Sequence, residues 1–294
     1  MRYDAIVVGA GPAGLTAATY LGRFRRRVLV LDGGEPRANW IPESHNTPGF
    51  PDGVGGPALL SRLRRQAELY GATTIEARAD SLARVEECFE VALDGSSTPV
   101  KAPFVLLATG VVDRKPDIDG IDEAVRRALV RICPICDAYE AIDQRIAVLG
   151  DGPLGAREAL FLKTYSDSVT LLHQGSLDAL PDVGRLLADD VGVMSVTPAD
   201  IRFDEAVQVS VDGRERTFDC LYLALGCEMQ SRLAVRWGAA HDDGGNLIVD
   251  RHQQTSIDGL YAAGDVVRGL NQITVATAEA AIAAADIHRR LREA

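Results

Sequence analysis

The amino-acid sequence predicts an α/β protein of two βαβ-based domains, the first interrupted by the second. Residues 3–8 form an apolar, strand-like run that ends in Gly9-Ala10-Gly11-Pro12-Ala13-Gly14. An alanine-rich stretch of helical character follows to about Gly22, and a second apolar run occupies 28–31, so strand, helix and strand succeed one another. The same order restarts at 145–149, passes Gly150-Asp151-Gly152-Pro153-Leu154-Gly155, continues as a helix through Lys163 and returns as a strand over 169–172. A length of 294 residues, 47% of them hydrophobic, supports about two domains, each with a core of its own.

Each glycine run follows a strand and opens a helix. That is where a Rossmann-like domain lets a pyrophosphate approach the helix N-terminus. In the first unit Asp32 ends the second strand, about 20 residues beyond the glycines, where a carboxylate accepts hydrogen bonds from a ribose. A turn with a capping acid is the alternative. Strand, helix, strand and acid together point to a dinucleotide at Gly9, Gly11, Pro12, Ala13, Gly14 and Asp32. In the second unit Gly150, Gly152 and Gly155 mark another such turn, but the strand over 169–172 runs into His173-Gln174-Gly175. That end offers neither an acid for a free 2′-hydroxyl nor an arginine for a 2′-phosphate. A second nucleotide and a glycine turn that serves only helix–strand packing are both open readings here.

Lys115, Pro116 and Gly120 suggest one linker, and the acidic, glycine-rich stretch 241–246 suggests another. Beyond Asp250 the chain reads as a strand, a Gly-Asp turn and a long alanine-rich helix from about Thr274, which must pack back on the first sheet to hide its apolar face. The expected division is a discontinuous domain of 1–114 and 246–294 around a central domain of 115–245. Lys and Arg number 31 against 42 Asp and Glu, a net charge of −11. No overall positive field exists to attract nucleic acid or an anionic membrane surface. No apolar run approaches the ~18 residues that span a bilayer. Arg2, Tyr3 and Asp4 precede a strand rather than a signal-peptide core, so a cytoplasmic location is expected.

Of five cysteines, Cys133 and Cys136 form a C-x-x-C followed by Asp137, between the two βαβ units. The count is too low and the spacing too uneven for a secreted disulfide framework. A structural zinc generally needs four ligands, and no second C-x-x-C or C-x-x-H is present, so a redox pair is favoured and no metal is expected. A helix starting near the motif would lower one thiol pKa through its dipole. Asp137 either carries a proton to and from a thiolate or caps that helix. Cys88, Cys220 and Cys227 have no close cysteine in sequence and are expected as inert core thiols.

With two glycine turns flanking C-x-x-C-D, the chain resembles the low-molecular-weight thioredoxin reductases over nearly its whole length. Asn46-Thr47-Pro48-Gly49-Phe50 resembles the family's flavin-touching loop, and Ala108-Thr109-Gly110 its strand-end motif near FAD. Ala262-Ala263-Gly264-Asp265 resembles the late Gly-Asp motif whose carboxylate binds the FAD ribityl chain, and Gln272 stands where the family places a flavin-contacting glutamine. The resemblance implies FAD in the first site, contacted also by Asn46, Thr109, Gly110, Gly264, Asp265 and Gln272. It further implies that Cys136 faces the flavin, Cys133 attacks the substrate disulfide and Asp137 is the general acid/base. A thioredoxin-like protein or a small dithiol/disulfide is the implied partner, and a homodimer the implied assembly.

The departures cluster. The family's His-Arg-Arg run is His173-Gln174-Gly175 here, which counts against NADPH because its phosphate dianion would lose charge-assisted hydrogen bonds. Pro134, Ala138, Tyr139 and Glu140 look more like the dithiol oxidases of disulfide-containing natural products, and Asn271 replaces an arginine before the glutamine. Relatives that work without NAD(P)H, including diflavin-linked enzymes with a second flavin and ferredoxin-dependent ones, share the fold while lacking the arginines. The expected function is an FAD-dependent thiol–disulfide oxidoreductase. A dithiol oxidase or a diflavin- or ferredoxin-linked enzyme is the alternative. A noncatalytic flavin-binding protein is the third reading, against which the intact C-x-x-C-D counts.

Overall fold

The computed structural model describes residues 3–180 and 183–293. Met1, Arg2 and Ala294, at the edges of the expected flanking domain, lie outside the described residues. The chain runs β1 (Ala5–Val8), α1 (Pro12–Arg23), β2 (Val28–Asp32), α2 (Gly56–Leu69), β3 (Thr73–Glu76), β4 (Ala79–Val85), β5 (Cys88–Leu93), β6 (Val100–Ala102), β7 (Phe104–Leu107) and β8 (Val111–Asp113). It continues through α3 (Ile121–Arg126), β9 (Val130–Arg131), α4 (Pro134–Asp137), β10 (Ile146–Gly150), α5 (Gly152–Leu162), β11 (Val169–Gln174), α6 (Val183–Ala188) and β12 (Gly192–Val196). The last part is β13 (Ile201–Phe203), β14 (Val207–Val211), β15 (Arg214–Phe218), β16 (Cys220–Ala224), β17 (Cys227–Met229), α7 (Arg232–Val235), β18 (Leu260–Ala262) and α8 (Ile273–Glu293).

In the flanking unit, β18-β7-β1-β2-β3 form a five-stranded parallel sheet, with Val8 opposite both Leu31 and Leu107. Unbroken apolar strands such as Ala5–Val8 are what a parallel sheet covered on both faces requires. Alternate residues divide between two cores. Ala5, Val7, Val28 and Val30 face α1 and α8, whereas Ile6, Val8, Leu29 and Leu31 face the antiparallel β4-β5-β6 layer. The pairing of α8 with α1 runs through small residues, Ala276, Ala280, Ala283 and Ala284 against Ala13, Ala17 and Ala18. The long helix thus packs back on the first sheet as its sequence demands.

The central unit is a second parallel sheet, β12-β11-β10-β16-β9, with the antiparallel β13-β14-β15 beside it. Its two faces bury separate cores, one under α5 and one reached by Trp40 of the flanking unit. Two Rossmann-like domains are therefore present. They are joined by an antiparallel ribbon in which Cys227 pairs with Asp113 and Met229 with Val111.

The return crossing departs from the expected boundary at 245/246. Leu233, Ala234, Val235, Trp237 and Ala239 pack in the flanking core with Phe89 and Leu31, and the rings of Trp237 and Phe89 stand 5.3 Å apart. By packing, the chain comes back at β17, because these apolar residues have their burial partners on the flanking side. The glycine-rich stretch 241–246 is a turn within that unit, closed by the Asp242 amide on the Asn246 carbonyl at 3.0 Å.

Close backbone approach fixes the first turn. A Cβ on Gly14 would lie 1.9 Å from the Gly9 carbonyl oxygen, whereas one on Gly11 would meet nothing within 4 Å. Gly14→Ala is expected to destabilise the fold by about 3 kcal/mol, whereas Gly11→Ala changes stability by less than about 1 kcal/mol. Urea unfolding of the two variants distinguishes these outcomes, and equal midpoints would contradict the packing account.

Candidate functional site

The first strand ends in Gly9, whose φ of +110° and whose absent side chain are both required, since a Cβ would stand 2.2 Å from the Ala108 carbonyl oxygen. Helix α1 then starts with Pro12 in its first turn, Gly11 as N-cap, no side-chain cap and no acid in that turn. Its first-turn amides therefore have no side-chain acceptor and point to a cleft of about 760 Å³. Pro12 and Ala13 line this cleft with Gly9 and Gly11, while Gly14 is buried behind them as the residue that lets helix and strand touch.

Asp32 closes the far end of the turn. One carboxylate oxygen accepts the Gly34 amide at 2.9 Å, and the other pairs with Arg64. Asn46, Thr109, Gly110, Gly264, Asp265 and Gln272 also line the cleft. An uncapped helix N-terminus, a cradle that a Cβ at Gly9 would fill and an acid at the end of β2 suit a dinucleotide. The residues fit FAD at this position.

Asp265 does not stand alone. The Arg37 guanidinium grips Asp113 of the ribbon through two nitrogens, at 2.6 and 2.8 Å, and reaches Asp265 at 3.4 Å. Burial pushes the Asp265 carboxyl above its ordinary range, Arg37 pulls it back, and Asp113 adds to the rise. One arginine therefore ties the inter-domain ribbon to the Gly-Asp motif.

From the other side the cleft receives Cys133 and Cys136, joined as a disulfide. Cys133 is the N-cap of α4, which has four residues. A single turn carries only a small dipole, so the expected helix effect on the thiols is weak. The Gln272 side-chain amide donates to the Cys136 sulfur at 3.4 Å and the Cys133 sulfur at 3.6 Å, while its oxygen accepts from Asn46 at 2.9 Å. Residues 46, 133, 136 and 272 thus form one hydrogen-bonded chain between the two units.

Asp137 is held behind the disulfide. The Tyr222 hydroxyl donates to its carboxylate at 2.9 Å, and Arg131 pairs with the other oxygen at 3.3 Å. Burial raises the Asp137 carboxyl, and Arg131 and Tyr222 oppose that rise. Nearby on α5, burial lifts the Glu158 carboxyl to about 7, against the pull of Arg157.

At the second turn, a Cβ on Gly150 would come within 2.9 Å of the Gly155 Cα, so this pair serves close helix–strand packing. Gly152 is open, and α5 lacks a side-chain cap. His173 lies opposite Gly150 in the sheet register, is buried, and has no partner for Nδ1. The end of β11 brings no cation to this turn.

Four residues escaped the sequence reading: Arg37, Arg64, Arg131 and Tyr222. Arg131 sits two residues before Cys133, a signal visible in the chain, whereas Tyr222 reaches Asp137 only through the pairing of β16 with β9. Cys220 is buried as expected, but Cys88 and Cys227 are half-buried, with Asn271 donating to the Cys227 sulfur at 3.9 Å. Among the described residues no group of three or more His, Cys, Asp or Glu could hold a metal ion, and no helix is long and apolar enough to cross a membrane.

The family described as pyridine nucleotide-disulphide oxidoreductase matches residues 3–280. The thioredoxin reductase of Mycolicibacterium smegmatis is 32% identical, over 99% of this chain and 97% of that one. The bifunctional thioredoxin reductase/thioredoxin of Mycobacterium leprae is also 32% identical, over 99% of this chain and 66% of its own length. The crystal structure of thioredoxin reductase from Streptococcus pyogenes superposes with a TM-score of 0.89 at 27% identity, covering 100% of this chain and 99% of that one.

Arg37→Met leaves two mostly buried carboxylates without their cation and is expected to cost about 3 kcal/mol. The loss should be greater at pH 7.5 than at pH 5. Asp265 protonates more readily once Arg37 is gone, and a neutral carboxyl tolerates burial better than an ionised one. Urea unfolding at the two pH values measures this, and a loss independent of pH would refute the assignment.

Proposed function

The chain belongs to the pyridine nucleotide-disulphide oxidoreductase family and is an FAD-dependent thiol–disulfide oxidoreductase of the thioredoxin reductase type, and we propose that its Cys133/Cys136 pair is the element that exchanges with substrate. The observation that carries this is the contact of Gln272 with both sulfurs, inside the cleft that the first glycine turn lines. FAD, when bound there, supplies the two-electron acceptor or donor that links the disulfide to a second redox partner.

The chain's own residues divide the remaining work. Gly9, Gly11, Pro12, Ala13 and Gly14 form the turn for the pyrophosphate, and Asp32 receives the adenosine ribose. Asn46, Thr109, Gly110, Gly264, Asp265 and Gln272 hold the remainder of the cofactor. Cys136 is the sulfur on the flavin side and Cys133 the one that attacks substrate. Cys133 forms a mixed disulfide with the partner, and Cys136 resolves it. Asp137 takes up and returns the proton of a thiol during that exchange. A thioredoxin-like protein is the favoured partner, supported by the relative whose name joins the two activities, with a small dithiol/disulfide as the other. A homodimer in the cytoplasm belongs to the same proposal.

One observation favours a second reading of the electron source. His173, Gln174 and Gly175 bring no arginine to the second turn, so Gly150, Gly152 and Gly155 lack the donors that hold a 2′-phosphate. The end of β11 thus counts against NADPH. A dithiol, or another flavin or ferredoxin, is the electron source under this reading.

Cys133→Ser and Cys136→Ser are each expected to abolish turnover of dithiol and disulfide substrates while leaving the yellow cofactor bound. Retained turnover in either would refute the pair's role. An anaerobic absorbance titration with NADPH, NADH and a dithiol tests the source. Bleaching of the flavin band by the dithiol alone is expected under the second reading, and rapid bleaching by NADPH overturns it.

A further inference from the structure

Asp137 is the last residue of α4, next to Cys136, and its carboxyl turns back into the central sheet. Two side chains from adjacent strands grip it. Arg131 Nη1 on β9 lies 3.3 Å from one carboxylate oxygen and donates to the Asp137 main-chain oxygen at 3.2 Å. The Tyr222 hydroxyl on β16 donates to the other carboxylate oxygen at 2.9 Å and has the same main-chain oxygen within 3.2 Å. The strand register that sets Tyr222 beside Arg131 brings both donors to one point.

Capping of a helix end accounts for the contacts to the main-chain oxygen but not for the two donors on the carboxylate. Nor is the pairing cheap. The Arg131 side chain is 12% exposed and its Nε has no partner, so a mostly buried cation is committed to one carboxylate. Of the other groups around Asp137, the nearest on β16 are neutral and the rest are acids. The Cys220 thiol, on the same face of β16, is pushed by burial to about 12 and stays neutral. Tyr222 is raised well above the ordinary phenol range, by burial first, and remains a neutral donor. Glu140, just beyond α4, works against ionisation of Asp137, and α5, which packs on α4, carries Glu158.

We propose that Arg131 and Tyr222 are the positioning residues of Asp137, fixing both the direction of its carboxyl and the pH at which it accepts a proton from the Cys133/Cys136 pair. The proposal rests on the acid–base reading of Asp137. In the dithiol state the Cys133 thiolate attacks a substrate disulfide, forms a mixed disulfide and expels one substrate thiolate, which takes a proton from solvent. Cys136 then gives its proton to Asp137 and attacks the Cys133 sulfur. The Cys133–Cys136 bond re-forms, and the second substrate thiolate leaves and receives the proton from Asp137. The enzyme pair loses two electrons and the substrate disulfide gains them. Asp137 must be ionised at the second step, so the rate falls as pH drops through its titration.

The test is the pH profile of single-turnover reduction of a small aromatic disulfide by dithiothreitol-reduced, FAD-loaded protein freed of excess dithiol. Both donors favour the charged carboxylate, so Arg131→Met should move the acid limb up by about one pH unit or more. Tyr222→Phe should move it the same way by less, and Arg131→Lys should restore most of the shift. Asp137→Asn should abolish the limb and slow the reaction about 100-fold, and adding Arg131→Met to it should change nothing further. A limb lost in Asp137→Asn but unmoved in Arg131→Met and Tyr222→Phe overturns the proposal alone. A limb that survives Asp137→Asn overturns the acid–base reading and the proposal together. Should Arg131→Met fail to fold, Tyr222→Phe, which removes one oxygen from a packed ring, carries the test.

Discussion

Gln272 holds two distant stretches of chain in one chemical unit. Its amide reaches both sulfurs of the central unit, and its oxygen is fixed by Asn46 of the flanking unit. The residue owes its place to α8, which begins at Ile273 and is anchored on α1 through facing alanines. Small residues permit that close approach, and every methyl group added there would move the helix, and with it the amide, away from the disulfide. The packing of two helices far from any reacting atom therefore sets a contact at the reacting atoms.

The chain carries a net charge of −11, yet several acids in and around the cleft are paired with arginines. Asp32 has Arg64, Asp113 and Asp265 share Arg37, Asp137 has Arg131, and Glu279, which accepts the Gly264 amide, has Arg268. In each case the arginine comes from a different element, and its planar fork suits a carboxylate better than an ammonium would. A buried ion pair of this kind holds two charges that would each be costly to bury alone. The arginines thus cross-link the elements that form the cleft.

Both βαβ units were legible in the sequence because their signals are local. An unbroken apolar strand, a glycine run and an alanine-rich helix occupy consecutive residues, and the structure reproduces them to within a residue or two. Cys133, Cys136 and Asp137 were legible for the same reason. What stayed hidden depended on register between strands or on packing between distant segments. Tyr222 became a partner of Asp137 through one strand pairing, and Arg37 joined Asp113 to Asp265 across 76 and 228 residues. The return crossing was misplaced because glycines at 241–246 resemble a linker, while the apolar residues at 233–239 reveal their unit only when their neighbours are known.

The ribbon of β8 and β17 is the narrowest joint available to a chain that leaves one domain and comes back to it. A joint of that kind resists bending far less than a shared sheet would, so the mutual orientation of the halves depends on side-chain contacts, of which Trp40 and Gln272 are two. In the orientation described, the sulfurs face inward across the cleft. The glycine turn and the two sulfurs line the same space, so whatever sets the mutual orientation of the halves also sets how the pair is reached.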